Sequence, residues 1–281
     1  MPSKYSAVLA IGVSILTLTT YSPANATSIY VAVAANFAGP LADIKSAFEL
    51  DYPGDTFTYT ADSSGNITNA ITSGNSPGYD LFLSADSSFP ATVYSAGWAT
   101  ASPFTYAKGE ILLWSPTNSS GLDVSGGLES LVGGSFPHSL VIANPSTAPY
   151  GTAAATVLSQ SPWSITTIPG SGVYTASNID NTYAAVANGT YKQGFIAKSK
   201  VCRYDAATNT YSFNATGVIG ATWKEYPYNG AHPYSQIVQN AVGVVHSGRT
   251  SAQDTVLANL ISYLTGSTAQ GVITHYCYLL P

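Results

Sequence analysis

Apolar positions in this chain switch repeatedly from a period of two to a helical period, and polar residues cluster where the period changes. Ile29–Ala35 is β-branched and alternating, which predicts a strand. Leu41, Ile44 and Phe48 then recur at i, i+3, i+7, which predicts a helix. Asn36 and Gly39-Pro40 lie between the two. Asn36 fits a helix cap, and it equally fits a donor at a helix start, where unpaired backbone N–H groups attract anions. Thr56–Thr60 is a second strand. It leads through Ser63-Ser64-Gly65 into a helix marked by Ile67, Ala70 and Ile71. Tyr79–Asp86 is a buried strand followed by a turn and a helix start, and Ile111–Trp114 is a further strand. Ser139–Ala143 is another, joined by Ala148–Gly151 to a helix over Thr152–Ser159. A short helix is expected over Leu128–Val132, another over Thr182–Asn188, and a strand over Gly194–Ala197. Cys202–Ala221 reads as loop with a hairpin. Val238–His246 is a strand and Gln253–Leu264 an amphipathic helix. Ser267-x-x-Gln270 has the spacing of a capping box that opens a last helix.

Strands alternating with helices predict an α/β fold with parallel sheets covered on both faces. In such sheets ligands sit at the carboxyl ends of strands, and all three polar strand-to-helix junctions lie at such ends. The amino-terminal segment belongs to no such unit. Lys4, an apolar run from Ala7 to Thr19 and Ala24-Asn25-Ala26 have the order of a secretory signal peptide cleaved after Ala26. A retained membrane anchor is the other reading.

Charge alters the picture in two ways. Nine basic side chains against fourteen acidic ones leave no run able to neutralise a series of phosphates, which argues against nucleic acid. Charged residues make up only 8% of the chain, against roughly 25% in an average globular protein. Ser, Thr, Asn, Gly and Tyr must therefore cover the surface, a composition suited to an acidic exterior. Cys202 and Cys277 have no CxxC spacing; an exported chain permits either a disulfide or two buried thiols. His138, His232, His246 and His275 are scattered, without metal-ligand spacing. HExxH, GxxxxGK[ST] and GxGxxG are all absent from the sequence. Asp80 and Asp86 read as turn caps flanking a buried strand rather than as an acid–base pair.

Several strings together resemble the periplasmic molybdate-binding proteins of ABC transporters. These are AVAANF with Leu41 and Ile44, DSSGNI at 62–67, YDLFLSAD at 79–86, NPSTAPYGTAA at 144–154, SNIDNTY at 177–183, GFIAKSK at 194–200 and HPYSQIVQNAVGV at 232–244. The resemblance covers nearly all of Thr27–Pro281. It implies a type II periplasmic substrate-binding protein of the Venus-flytrap kind, with mixed, mostly parallel sheets and a two-strand hinge. Lobe one would comprise 27–107 plus 235–281, and lobe two 108–234. The expected ligand is molybdate or tungstate, held by Ala35 and Asn36, Ser64, Tyr150 and Ile179 through hydroxyl, amide and backbone N–H donors. The metal would enter only inside its oxyanion, with no cofactor and no catalysis. A monomer delivering its ligand to a membrane ABC permease in the periplasm completes the expectation. The alternatives are the same fold binding another oxyanion, ferric ion or a small organic acid, and, more remotely, a secreted hydrolase. Two departures stand out. Some family members carry a hydroxyl residue in the first turn, or a Tyr donor just after the lobe-two strand, where this chain has Ala35-Asn36 and Ala197. Cys277 stands where the family usually has Gly after the last helix, which adds weight to a bridge with Cys202.

Overall fold

The computed structural model describes residues 26–116 and 122–281. Apart from Ala26, the expected leader lies outside the described residues. In chain order, β1 (Thr27–Ala34) runs through a 3-10 turn (Ala35–Phe37) into α1 (Ala38–Asp51), and β2 (Asp55–Asp62) leads into α2 (Ser64–Thr72). Then come β3 (Leu81–Leu83), α3 (Ser88–Ser95), β4 (Phe104–Gly109), β5 (Ile111–Ser115) and β6 (Leu140–Ala143). They are followed by α4 (Pro149–Ser159), β7 (Val173–Ala176), α5 (Ile179–Ala187), β8 (Gln193–Ala197) and α6 (Lys198–Val201). β9 (Arg203–Asp205) and β10 (Thr210–Ser212) pair as the expected hairpin. β11 (Thr222–Tyr226), β12 (Ile237–Gly243), α7 (Ser251–Leu264) and α8 (Ser267–His275) complete the order.

Two five-stranded sheets result, ordered β2-β1-β3-β12-β4 and β11-β5-β8-β6-β7. The strands that feed helices pair in parallel: β1 with β2 and β3, and β6 with β7 and β8. β12 runs antiparallel to β3 and β4, and β5 antiparallel to β8 and β11. Each sheet is therefore mixed, because the chain re-enters it from the opposite direction after crossing between lobes. One crossing is the short step from β4 to β5 and the other lies between β11 and β12. Tyr234 fixes both: its hydroxyl donates to Tyr226 O at 2.8 Å and accepts Ile111 N–H at 3.2 Å.

Helix faces follow the periodicity. Leu41, Ile44 and Phe48 of α1, and Val256, Leu257, Leu260 and Leu264 of α7, are buried in one core with Ile29, Val31 and Val33. The second core is built on Leu113, Leu140, Ile142 and Phe195, and it continues across the lobe boundary to Ala34, Ala35 and Ala85. The lobes are thus closed on one another. Gly65 N–H, on the first lobe, donates to Thr147 O of the second at 2.9 Å.

Local expectations fail in three places. Leu128–Val132 is not helical. It lies between Gly126-Gly127 and Gly133-Gly134, and Gly127, Gly133 and Gly134 adopt positive φ, so no helical turn can propagate. Ser267 does not cap α8, because Gly266 occupies that position without a side-chain cap. The capping box occurs one helix earlier, where Thr250 and Gln253 bond reciprocally at the start of α7. Asn36 does not cap α1 either. Phe37 is the capping residue, and Asn36 sits inside the preceding 3-10 turn with its side chain turned into the protein.

Candidate ligand site between the lobes

The four junctions β1–α1, β2–α2, β6–α4 and β7–α5 converge on a tight cavity of about 10 Å³. Ala35, Asn36, Ser64, Tyr150 and Ile179 all line it. Residues 36 and 64 arrive from the first sheet, and 150 and 179 from the second. Asp62, Ser63, Ala85, Ala148, Pro149 and Asn178 share the wall. No Lys or Arg is among these lining residues.

The local chemistry is that of donors. Ser64 is the first residue of α2, Tyr150 the second of α4 and Ile179 the first of α5, so their N–H groups have no intrahelical acceptor. The caps take the later N–H groups instead. Ser63 Oγ accepts from Asn66 N–H at 3.3 Å, and Asn178 Oδ1 from Asn181 N–H at 2.9 Å. Pro149, opening α4, has no N–H to lose and is pre-set in the helical φ. Ser64 Oγ accepts Ala85 N–H at 3.0 Å, which leaves the hydroxyl proton to donate elsewhere. Three helix starts place the positive ends of their dipoles at one point. Asp62 is the single charged group in the wall, and α2's own turn engages both its oxygens: Ser63 N–H at 2.6 Å and Asn66 Nδ2 at 3.1 Å.

Behind the cavity lies a buried polar network that the sequence reading missed. Asn36 Nδ2 is 2.9 Å from Gln239 Oε1, 2.9 Å from Tyr278 Oη and 3.4 Å from Tyr150 Oη. Gln239 Nε2 donates to Tyr150 Oη at 3.0 Å, and Tyr106 Oη lies 3.0 Å from Gln239 Oε1. The Tyr150 hydroxyl is therefore engaged in the interior, and its backbone N–H is the donor left at the cavity. A signal for Gln239 exists in the sequence: alternation along β12 puts it on the same buried face as Ile237 and Ala241. Tyr278 carries no comparable signal. Asp80 and Asp86 are structural. Asp80 accepts Tyr30 N–H and pairs with His246 and Arg249, while Asp86 accepts Phe89 N–H at the start of α3. Cys202 and Cys277 form a disulfide, and Cys277 adopts φ +60°, the left-handed conformation that suits Gly.

Burial raises the phenol pKa values of Tyr106 and Tyr150 far above the ordinary tyrosine range. Burial also pushes Tyr278 up to about 12, against hydrogen bonds from Ser199, Asn36 and Tyr150 that pull it down. The network is thus neutral at physiological pH. Because the folded-state pKa exceeds the unfolded value near 10, the network's contribution to stability is complete below pH 10 and declines as pH rises through about 12. Urea midpoints measured from pH 8 to 12 should be flat as far as these groups are concerned up to pH 10 and fall above it. A midpoint rising over that alkaline range would contradict the assignment.

Two α/β lobes joined by two crossings and closed over a small cavity at helix starts define a clamshell-type ligand-binding protein. The chain belongs to the bacterial extracellular solute-binding protein family, whose model matches residues 29–279. It is 33% identical over 273 residues to the molybdate-binding protein ModA of Azotobacter vinelandii, covering 96% of each chain. Over 258 residues it is 31% identical to ModA of Rhodobacter capsulatus, covering 92% of this chain and 90% of that protein. The solved structure of the A. vinelandii periplasmic molybdate-binding protein matches with a TM-score of 0.71 at 27% identity, covering 90% of this chain and 99% of that one.

Proposed function

We propose that this protein captures molybdate or tungstate between its lobes in the periplasm and delivers it, as a monomer, to an ABC permease. The observation that carries this reading is the cavity itself, walled by helix-start N–H groups and the Ser64 hydroxyl without any basic side chain. Ala35 and Asn36, Ser64, Tyr150 and Ile179 are the proposed ligand contacts. Lobe one then comprises 27–107 with 235–281, and lobe two 108–234.

The donor set selects on protonation. Each hydrogen bond to a charged ligand contributes roughly 1.5–3 kcal/mol, so a dianion that accepts from every wall is bound strongly. Phosphate near neutral pH keeps a proton on one oxygen. That O–H would face donors on every wall except at Asp62, whose oxygens each accept one bond from the α2 turn and keep further lone pairs; away from Asp62 the unmet O–H costs about 1–3 kcal/mol. Sulfate lacks that handicap, so its rejection rests on the smaller radius of its tetrahedron in a cavity shaped by the closed lobes.

Titration calorimetry of the mature protein with molybdate, tungstate, sulfate and phosphate tests the reading. The expected result is micromolar or tighter binding of the first two only; no heat with any of the four would overturn it. Ser64→Ala should weaken molybdate binding roughly ten- to a hundredfold, because it deletes a donor to a charged ligand. It should also lower the unfolding free energy by about 1–3 kcal/mol, because Ala85 N–H loses its acceptor in a buried position. Unchanged affinity in this variant would remove Ser64 from the site.

A further inference from the structure

Tyr278 lies three residues beyond the end of α8, remote in sequence from every ligand junction, yet it is 3% exposed and sits against the first of them. Its hydroxyl donates to the backbone carbonyl of Asn36 at 2.8 Å and accepts from Asn36 Nδ2 at 2.9 Å. The same oxygen accepts from Ser199 Oγ, in α6 of the other lobe, at 2.9 Å. Its ring meets Phe37 edge-on, with centroids 5.5 Å apart. Tyr278 therefore grips main chain and side chain of the 3-10 turn together and links that turn to lobe two.

The segment that carries Tyr278 is itself anchored on both sides. Cys277, the preceding residue, is covalently joined to Cys202, which directly follows α6. Leu279, the following residue, exchanges two backbone hydrogen bonds with Lys108 of β4, at 2.8 and 3.0 Å, beside the crossing to β5. The disulfide thus lies beside the hinge rather than across the mouth of the cavity. It adds a third link along the edge where the chain already crosses twice.

Asn36 needs such an external grip. The 3-10 turn has no side-chain cap of its own, and Asn36 Oδ1 is buried without a partner among the described residues. Among the described residues, the hydrogen bonds that orient the Asn36 side chain are those from its Nδ2. We propose that Tyr278 is a positioning residue for the ligand site: held at the hinge by the Cys202–Cys277 bridge and the Leu279–Lys108 pairing, its hydroxyl fixes the Ala35–Phe37 turn in donor geometry and couples that turn to lobe two through Ser199. The effect on affinity rests on the proposed oxyanion function, whereas the effect on the turn does not.

The test uses the mature, oxidised protein and the variants Tyr278→Phe and Ser199→Ala. Tyr278→Phe keeps the ring and its contact with Phe37 and removes the hydroxyl alone. It should weaken molybdate binding about tenfold, mainly through faster dissociation. Hydrogen exchange of the ligand-free protein should accelerate at residues 35–38 and remain unchanged at Leu81–Leu83 and Leu140–Ala143. A purely structural role would speed exchange in all three segments together. Ser199→Ala should give a smaller change in the same two readouts, and it decides the matter should Tyr278→Phe not fold. Exchange at 35–38 equal to the parent in the folded variants, or raised uniformly across the three segments, overturns the proposal. If the parent protein binds no molybdate, the functional reading fails, and the exchange pattern alone still decides the role of Tyr278.

Discussion

Gly65→Ala should weaken molybdate binding roughly five- to a hundred-and-fortyfold while leaving the ligand-free protein folded. Gly65 is the second residue of α2, next to Ser64. A β-carbon there would stand 2.9 Å from Thr147 Cα, 3.0 Å from Thr147 Cβ and 3.2 Å from Phe89 Cζ. Thr147 belongs to the opposite lobe, so the clash with its backbone exists only when the lobes are shut. Over-packing of this kind costs typically about 1–3 kcal/mol, and each 1.4 kcal/mol is a factor of ten in an equilibrium constant. The hydrogen bond from Gly65 N–H to Thr147 O would lengthen as well. In the open form only the contact with the Phe89 ring, on the same lobe, remains; a shift of that ring by a few tenths of an ångström relieves it, and within a helix Ala is favoured over Gly by roughly 1 kcal/mol. Calorimetry with molybdate, together with the melting temperature of the unliganded protein, checks both halves. Parent-like affinity would show that the closed arrangement of α2 against Thr147 is not the liganded one.

Gly151→Ala is expected to act on folding as well as on the site. Its β-carbon would lie 2.1 Å from Ala143 O, 2.7 Å from Ala143 C and 3.0 Å from Asn144 C, all of them backbone atoms. No rotamer change relieves this, so α4 must pull away from the end of β6 and take Tyr150 with it. Removing Tyr150 withdraws a cavity N–H and breaks the phenol out of its bond with Gln239. A cost of at least about 3 kcal/mol follows, which for a chain of this size lowers the melting temperature by roughly 6–12 °C. Binding of molybdate should be lost at the same time. A thermal melt coinciding with that of the parent would show that the helix start can shift without penalty.

The elements that carry the site were legible because local and global signals agree there. β1 and α1 announce themselves by period, the Ser63-Ser64-Gly65 turn by its cap chemistry, and α7 by its apolar face. What the sequence left hidden depends on partners distant in the chain. β4 reads FTYAKG, with no clean alternation, and becomes a strand by pairing with β12. β11, TWKEY, is a polar edge strand that rests on β5. The Leu128–Val132 segment is apolar enough for a helix, but paired glycines on either side deny it length, and Val132 is left exposed. At the site itself, helix-start residues could be named because their neighbours in sequence declare them. The network behind them unites Asn36, Tyr106, Tyr150, Ser199, Gln239 and Tyr278 from separate elements, and no local pattern encodes that convergence.

The bond between Cys202 and Cys277 also makes a ring of the chain between them, 75 positions apart in sequence. That ring contains the β9–β10 hairpin, whose residues 205–212 are exposed and present the small polar tip that proteases prefer. A cut at Thr208 or Asn209 would sever the polypeptide and still leave both pieces covalently joined. An extracellular carrier built this way survives a nick at this exposed loop as a single particle, and it comes apart only when cleavage and reduction coincide.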